Sequence, residues 1–84
     1  MAETFDFGEA LKRLKSGERV ARIGWNGKGM WLILIPIGAL STSSTYPFEM
    51  QACIGMKTVD NKMQPGWLAS QVDMLAEDWV LVTL

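Results

Sequence analysis

A chain of 84 residues and 9.4 kDa has room for one small domain, which excludes an active-site cleft between two independently folded halves. The 49% hydrophobic and 20% charged composition excludes intrinsic disorder, and eight Lys and Arg against nine Asp and Glu leave a net charge of -1, too little field to hold duplex nucleic acid by counterion release. There is no His and a single Cys, so the commonest general base, the commonest transition-metal ligand and an intramolecular disulfide are all missing.

Asp6 caps a first helix with Glu9 three residues on; Phe7, Ala10, Leu11 and Leu14 share its apolar face, Lys12, Arg13 and Lys15 face water, and Gly17 stops it. Arg19 to Ile23 alternates as a strand, with Val20 on one face and Arg19, Ala21 and Ile23 on the other, until the segment GWNGKG turns the chain. Met30 to Ile35 is a strand without alternation, which predicts cover on both faces, one side by the helix and the other by a second subunit. Pro36 ends it. Gly38 to Pro47 holds five Ser or Thr and no charge and reads as a flexible loop. Gln51 to Thr58 forms a third strand with Cys53 packed mid-strand, Asp60 and Asn61 supply a turn, and Lys62 to Gln64 begins a return strand. Ser70 with Asp73 is a second capping box over a short helix, Gln71 to Leu75, and Trp79 to Leu84 closes the chain as a strand.

The expected fold is therefore α+β: a small antiparallel sheet with an N-terminal helix and a short second helix, all within one domain spanning residues 1–84. A domain of this size buries only about 60% of its unfolded surface, and its mean hydropathy is positive, so a homo-oligomer is expected. The longest apolar run, Met30 to Ile37, is far short of the roughly 20 residues of a membrane span. No signal core opens the chain, and the cytoplasm is the expected compartment.

Two segments carry chemistry. In Arg22-Ile-Gly-Trp25-Asn26-Gly27-Lys28-Gly29-Met30, three glycines within six residues permit positive φ and a nest of backbone amides for an anion. Trp25 is suited to stack a base, Asn26 to read its edge, and Arg22 and Lys28 to meet phosphates; the plainer reading is a hairpin with a Trp lid. In Gly66 to Trp79, the helix start at Ser70 and Gln71 offers amides to a phosphate. Asp73 serves either as a cap or as an acceptor for a ribose hydroxyl, while Trp67, Met74, Leu75 and Trp79 read as core. Asp73, Glu77 and Asp78 also suggest a metal-dependent phosphohydrolase as an alternative.

Taken together, RIGWNGKGM at 22–30 and GWLASQVDMLAEDW at 66–79, with MKT at 56–58 between them, resemble the small phage-encoded Thoeris anti-defence family of the second type. Val72 stands where members commonly carry Thr, Trp31 where Tyr is common, and the 38–48 loop is short. The resemblance implies a non-enzymatic sponge that sequesters cyclic ADP-ribose-type immune signals. It also implies a homotetramer with nucleotide pockets between subunits, no metal or other cofactor, and, in some members, capture of cyclic oligonucleotides at separate sites. The expected ligand-binding set combines Arg22, Trp25, Asn26, Gly27 and Lys28 of the first segment with Ser70, Gln71 and Asp73 of the second, completed by Phe7 and Met30. A purely structural oligomeric module is the remaining alternative.

Overall fold

The computed structural model describes residues 3–25, 29–37, 48 and 50–83. The expected 38–47 loop lies outside the described residues. Eight elements follow in chain order: β1 (Thr4–Phe5), α1 (Phe7–Lys15), β2 (Arg19–Arg22), β3 (Trp31–Ile35), β4 (Cys53–Lys57), β5 (Met63–Pro65), α2 (Gln71–Leu75) and β6 (Trp79–Val82). The strands form one antiparallel sheet in the order β1-β6-β2-β3-β4-β5. The α+β class expected from the sequence is the class observed.

Both helices begin where their caps are. The Asp6 side chain accepts from the Glu9 N–H at 2.9 Å, and α1 ends at Ser16 with Gly17 at φ +88°, a backbone state that glycine adopts without strain. In α2, Ser70 and Asp73 form the reciprocal capping box. One strand was not expected: β1 is two residues long and exists through its pairing with β6, Thr4 opposite Val80 and Phe5 opposite Trp79. The return strand begins at Met63, one residue later than expected, and Cys53 opens β4 rather than sitting in its middle.

Register assigns the two faces of the sheet. Trp79 and Leu81 of β6, Val20 and Arg22 of β2, Leu32 of β3 and Met56 of β4 align on one face. Ala10 and Leu14 of α1 pack with Val20, Leu32 and Trp79 as the fully buried core. Trp79, 0% exposed, contributes about 4–6 kcal/mol on burying an aromatic side chain's area. Arg13 departs from expectation: instead of facing water it is half-buried, its guanidinium 4.4 Å from the centre of the Phe5 ring and its Nε donating to Glu9 at 3.0 Å. The opposite face aligns Val80 and Val82, Arg19 and Ala21, Trp31, Ile33 and Ile35, and Cys53 and Gly55. The described residues place no helix against it; α1 contacts β2, β3 and β6 from the core side, and α2 contacts α1.

Candidate functional site

The two chemistry-bearing segments meet at one end of the sheet. Arg22 is the last residue of β2, on the core face, and its guanidinium bridges two carboxylates: Nη1 donates to Asp73 Oδ1 at 2.9 Å and Nε donates to Asp78 Oδ1 at 2.9 Å. The side chain of Arg22 is 15% exposed and that of Asp73 14%, so these charge-assisted bonds sit largely out of water, where they are stronger and their loss costs more. Asp78 Oδ2 accepts the Gly24 N–H at 2.8 Å, and its backbone carbonyl accepts from Ile23 N–H at 3.0 Å.

Asp73 is the meeting point. Its Oδ1 accepts from Arg22 and, at 3.4 Å, from the Trp25 indole Nε1–H; its Oδ2 accepts from the Ser70 N–H and the Ser70 hydroxyl. A carboxylate offers about four lone-pair sites, and four donors occupy them. The cap role read from the sequence is present. In the ligand-free chain its acceptor sites are taken by the protein's own donors, so Asp73 ties the two segments together.

The electrostatics follow from these contacts. Burial acts to raise the Asp73 carboxyl, but the bonds from Arg22, the Ser70 amide and hydroxyl, and Trp25 outweigh it and hold it below the ordinary carboxylate value. Asp78 is also lowered, first by Arg22, against the opposing effect of burial, with help from the Gly24 amide. Hydrogen bonds to Asp78 and then Asp73 push the Arg22 guanidinium higher still. Both carboxylates are therefore ionised at neutral pH, unsuited to donate a proton, and the cation they share is Arg22.

Beneath this polar layer lies an aromatic one. Trp79 is central: the Phe7 ring lies 5.4 Å from it and Trp25 meets it edge to face at 5.5 Å and 79°. Trp67 meets Trp79 at 6.2 Å and 86°, and lies 6.4 Å from both Phe7 and Trp25. Trp25 is thus half-buried and packed against the core. The Trp79 Nε1–H donates to the Asp73 carbonyl at 3.0 Å and ties α2 to the sheet. A recess of about 220 Å³ lined by Met56, Gln64, Gly66, Trp67 and Leu68 adjoins the cluster. At the exit of the glycine turn, Gly29 has φ +83° and its carbonyl accepts from Lys57 Nζ at 2.9 Å.

Of the residues expected from the sequence, Phe7, Arg22, Trp25, Ser70 and Asp73 come together in one chain. Met30 stands half-buried directly ahead of β3, and Gln71 is exposed at the first position of α2. Asn26, Gly27 and Lys28 lie outside the described residues. Sequence reasoning missed the roles of Asp78, Gly24 and Lys57. The sequence alone offers Asp78 only as a metal ligand, and the signal for its real partner, the antiparallel pairing of Arg22 with Trp79, becomes visible only once β2 and β6 are paired.

The Thoeris anti-defense 2-like domain family matches residues 5–82, from the end of β1 to the end of β6. A relative named Thoeris anti-defense 2, from Bacillus phage SP01, is 42% identical over 90 residues, covering 99% of this chain and 100% of the relative. The match takes in every element that builds the site, from Phe7 to Trp79, and the chain belongs to the Thoeris anti-defense 2-like family.

Proposed function

We propose that this chain is a phage anti-defence sponge that binds cyclic ADP-ribose-type immune signals without degrading them, so that the host's defence effector is never switched on. It acts in the cytoplasm of the infected bacterium. The observation that carries the reading is the convergence of the glycine turn and the α2 start, through Arg22, Trp25 and Asp73, in a chain of this anti-defence family. An aromatic cluster beside a glycine-rich turn suits a nucleotide base with its phosphates.

Sequestration of a scarce signal at nanomolar affinity requires about 12 kcal/mol, and one Trp stack supplies about 1–3 kcal/mol. The recess beside Trp67, about 220 Å³, is smaller than the roughly 300–1,000 Å³ of a small-molecule pocket. Closure of the ligand between subunits of a homotetramer supplies the rest, and the exposed apolar side chains Leu68, Val72 and Leu75 beside the site are surface such an assembly covers. Against the hydrolase alternative, Asp73 and Asp78 are engaged by Arg22.

One experiment tests the reading. The protein is incubated with cyclic ADP-ribose, or with a cyclic oligonucleotide in a parallel arm, then separated from free ligand, denatured, and the released molecules identified by mass spectrometry. Intact cyclic ADP-ribose is the expected result. Hydrolysis products would make the protein an enzyme, and absence of retained nucleotide in both arms would leave a structural module.

A further inference from the structure

We propose that Asp78 is a positioning residue of this site: by gripping Arg22 and Gly24 together it holds Trp25, at the start of the turn, in its ligand-ready geometry before any ligand arrives. The inference rests on the signal-binding reading, and adds a residue that touches no ligand.

The grip has three parts. The two carboxylate oxygens of Asp78 are divided between Arg22 Nε at 2.9 Å and the Gly24 N–H at 2.8 Å, and its backbone carbonyl receives the Ile23 N–H at 3.0 Å. One residue thereby fixes residues 22, 23 and 24 in succession. The next residue, Trp79, carries the edge-to-face contact with Trp25, and Arg22 passes the restraint to Asp73, which accepts the Trp25 indole N–H. Gly24 is fitted to this arrangement, because a Cβ there would stand 2.9 Å from Asp78 Oδ2. Glycine loses more conformational freedom than any other residue when it is ordered, and Gly24 is held by Asp78. Ordering it in advance removes that cost from the binding step.

The test reads hydrogen exchange in the ligand-free protein and, separately, affinity for cyclic ADP-ribose by calorimetry, for Asp78→Ala, Asp78→Asn and Gly24→Ala. In Asp78→Ala the Gly24 amide and Trp25 indole N–H are expected to exchange faster while the Val20 and Leu32 amides keep their protection, with binding about tenfold weaker, the scale of ordering one segment on binding. Asp78→Asn keeps an oxygen for the Gly24 amide and is expected to restore part of both readouts. Gly24→Ala displaces the same contact from the other side and reports even where Asp78→Ala does not fold. Unchanged exchange of the residue-24 amide and the Trp25 indole N–H in Asp78→Ala and Gly24→Ala would overturn the clamp, and faster exchange there with unchanged affinity would overturn its role in binding. Failure of the unaltered protein to bind cyclic ADP-ribose would count against the signal-binding reading, while the exchange data still decide the clamp.

Discussion

Arg22 Nη1 donates to Asp73 Oδ1 at 2.9 Å across 51 residues of sequence, and this bond accounts for the existence of α2 where it is. The helix is five residues long and buries none of them fully, far below the length at which a helix is stable alone. It is held by polar ties: its capping box, the Arg22 pair and the Trp79 indole N–H on the Asp73 carbonyl. Its apolar side chains Val72, Met74 and Leu75 are left 68%, 46% and 80% exposed, so Met74 and Leu75 are not the core residues expected from the sequence. A helix fastened this way places its N-terminus with precision while burying little.

Native mass follows from the surface left open. With Ile23, Leu68, Val72 and Leu75 left 60%, 88%, 68% and 80% exposed, the chain is expected to sediment as a multiple of 9.4 kDa, with four copies the expected number. Sedimentation velocity at micromolar concentration checks this, and a monomer there would remove the argument for a pocket between subunits.

Trp25 carries two loads that substitution can separate. Trp25→Phe keeps a ring against Trp79 and removes the indole donor, whose bond to Asp73 is long at 3.4 Å, so a loss of about 0.5–1.5 kcal/mol is expected in denaturant unfolding. Trp25→Ala also removes the edge-to-face contact and is expected to cost about 2–4 kcal/mol, somewhat below a fully buried aromatic truncation. Both variants should retain less cyclic ADP-ribose, the alanine variant most.

Local chemistry was legible in the sequence and distant pairing was not. Asp6 with Glu9 and Ser70 with Asp73 lie three residues apart, so both caps could be read from spacing alone, and both are formed. Thr4 and Phe5 give no signal as a strand, because β1 is made by its partner at the other end of the chain. The site divides along the same line. Ser70 on Asp73 could be foreseen; Arg22 on Asp78, 56 residues apart, required the register of β2 against β6. Trp25 reads from the sequence as a base-stacking residue or a turn lid because its support, Trp79, is supplied by that same distant strand.

Acid should release the site before neutral pH affects it. Asp73 and Asp78 both ionise below the ordinary carboxylate value of 3.8 in the folded protein, so the stability they contribute is fully present above that value and is lost as pH falls through the depressed folded values. Arg22 is shifted upward from its ordinary value, and its loss of charge lies outside this range. The melting temperature is expected to be level between about pH 5 and 7 and to fall below about pH 4. A double Asp73→Asn, Asp78→Asn variant should show a shallower acid slope; an identical slope would mean that other carboxylates set it.

Asp73→Asn decides whether Asp73 serves a ligand or the fold. The four donors already on its carboxylate, from Arg22, Trp25 and the amide and hydroxyl of Ser70, leave no acceptor for a ribose hydroxyl. An amide in its place presents an NH2 group either to Arg22 or to Ser70, so one side of the junction loses its acceptor whichever way the side chain turns. Loss of a hydrogen bond to a charged group predicts destabilisation of about 1.5–3 kcal/mol. In the ligand-free variant, the Met74 amide, which donates to the Ser70 carbonyl, and the Trp79 indole N–H should exchange faster as α2 loosens. Affinity for cyclic ADP-ribose should fall alongside that loosening. Stability and exchange matching the unaltered protein, with binding lost, would instead mean that a ligand displaces one of the four donors and takes its place on Asp73.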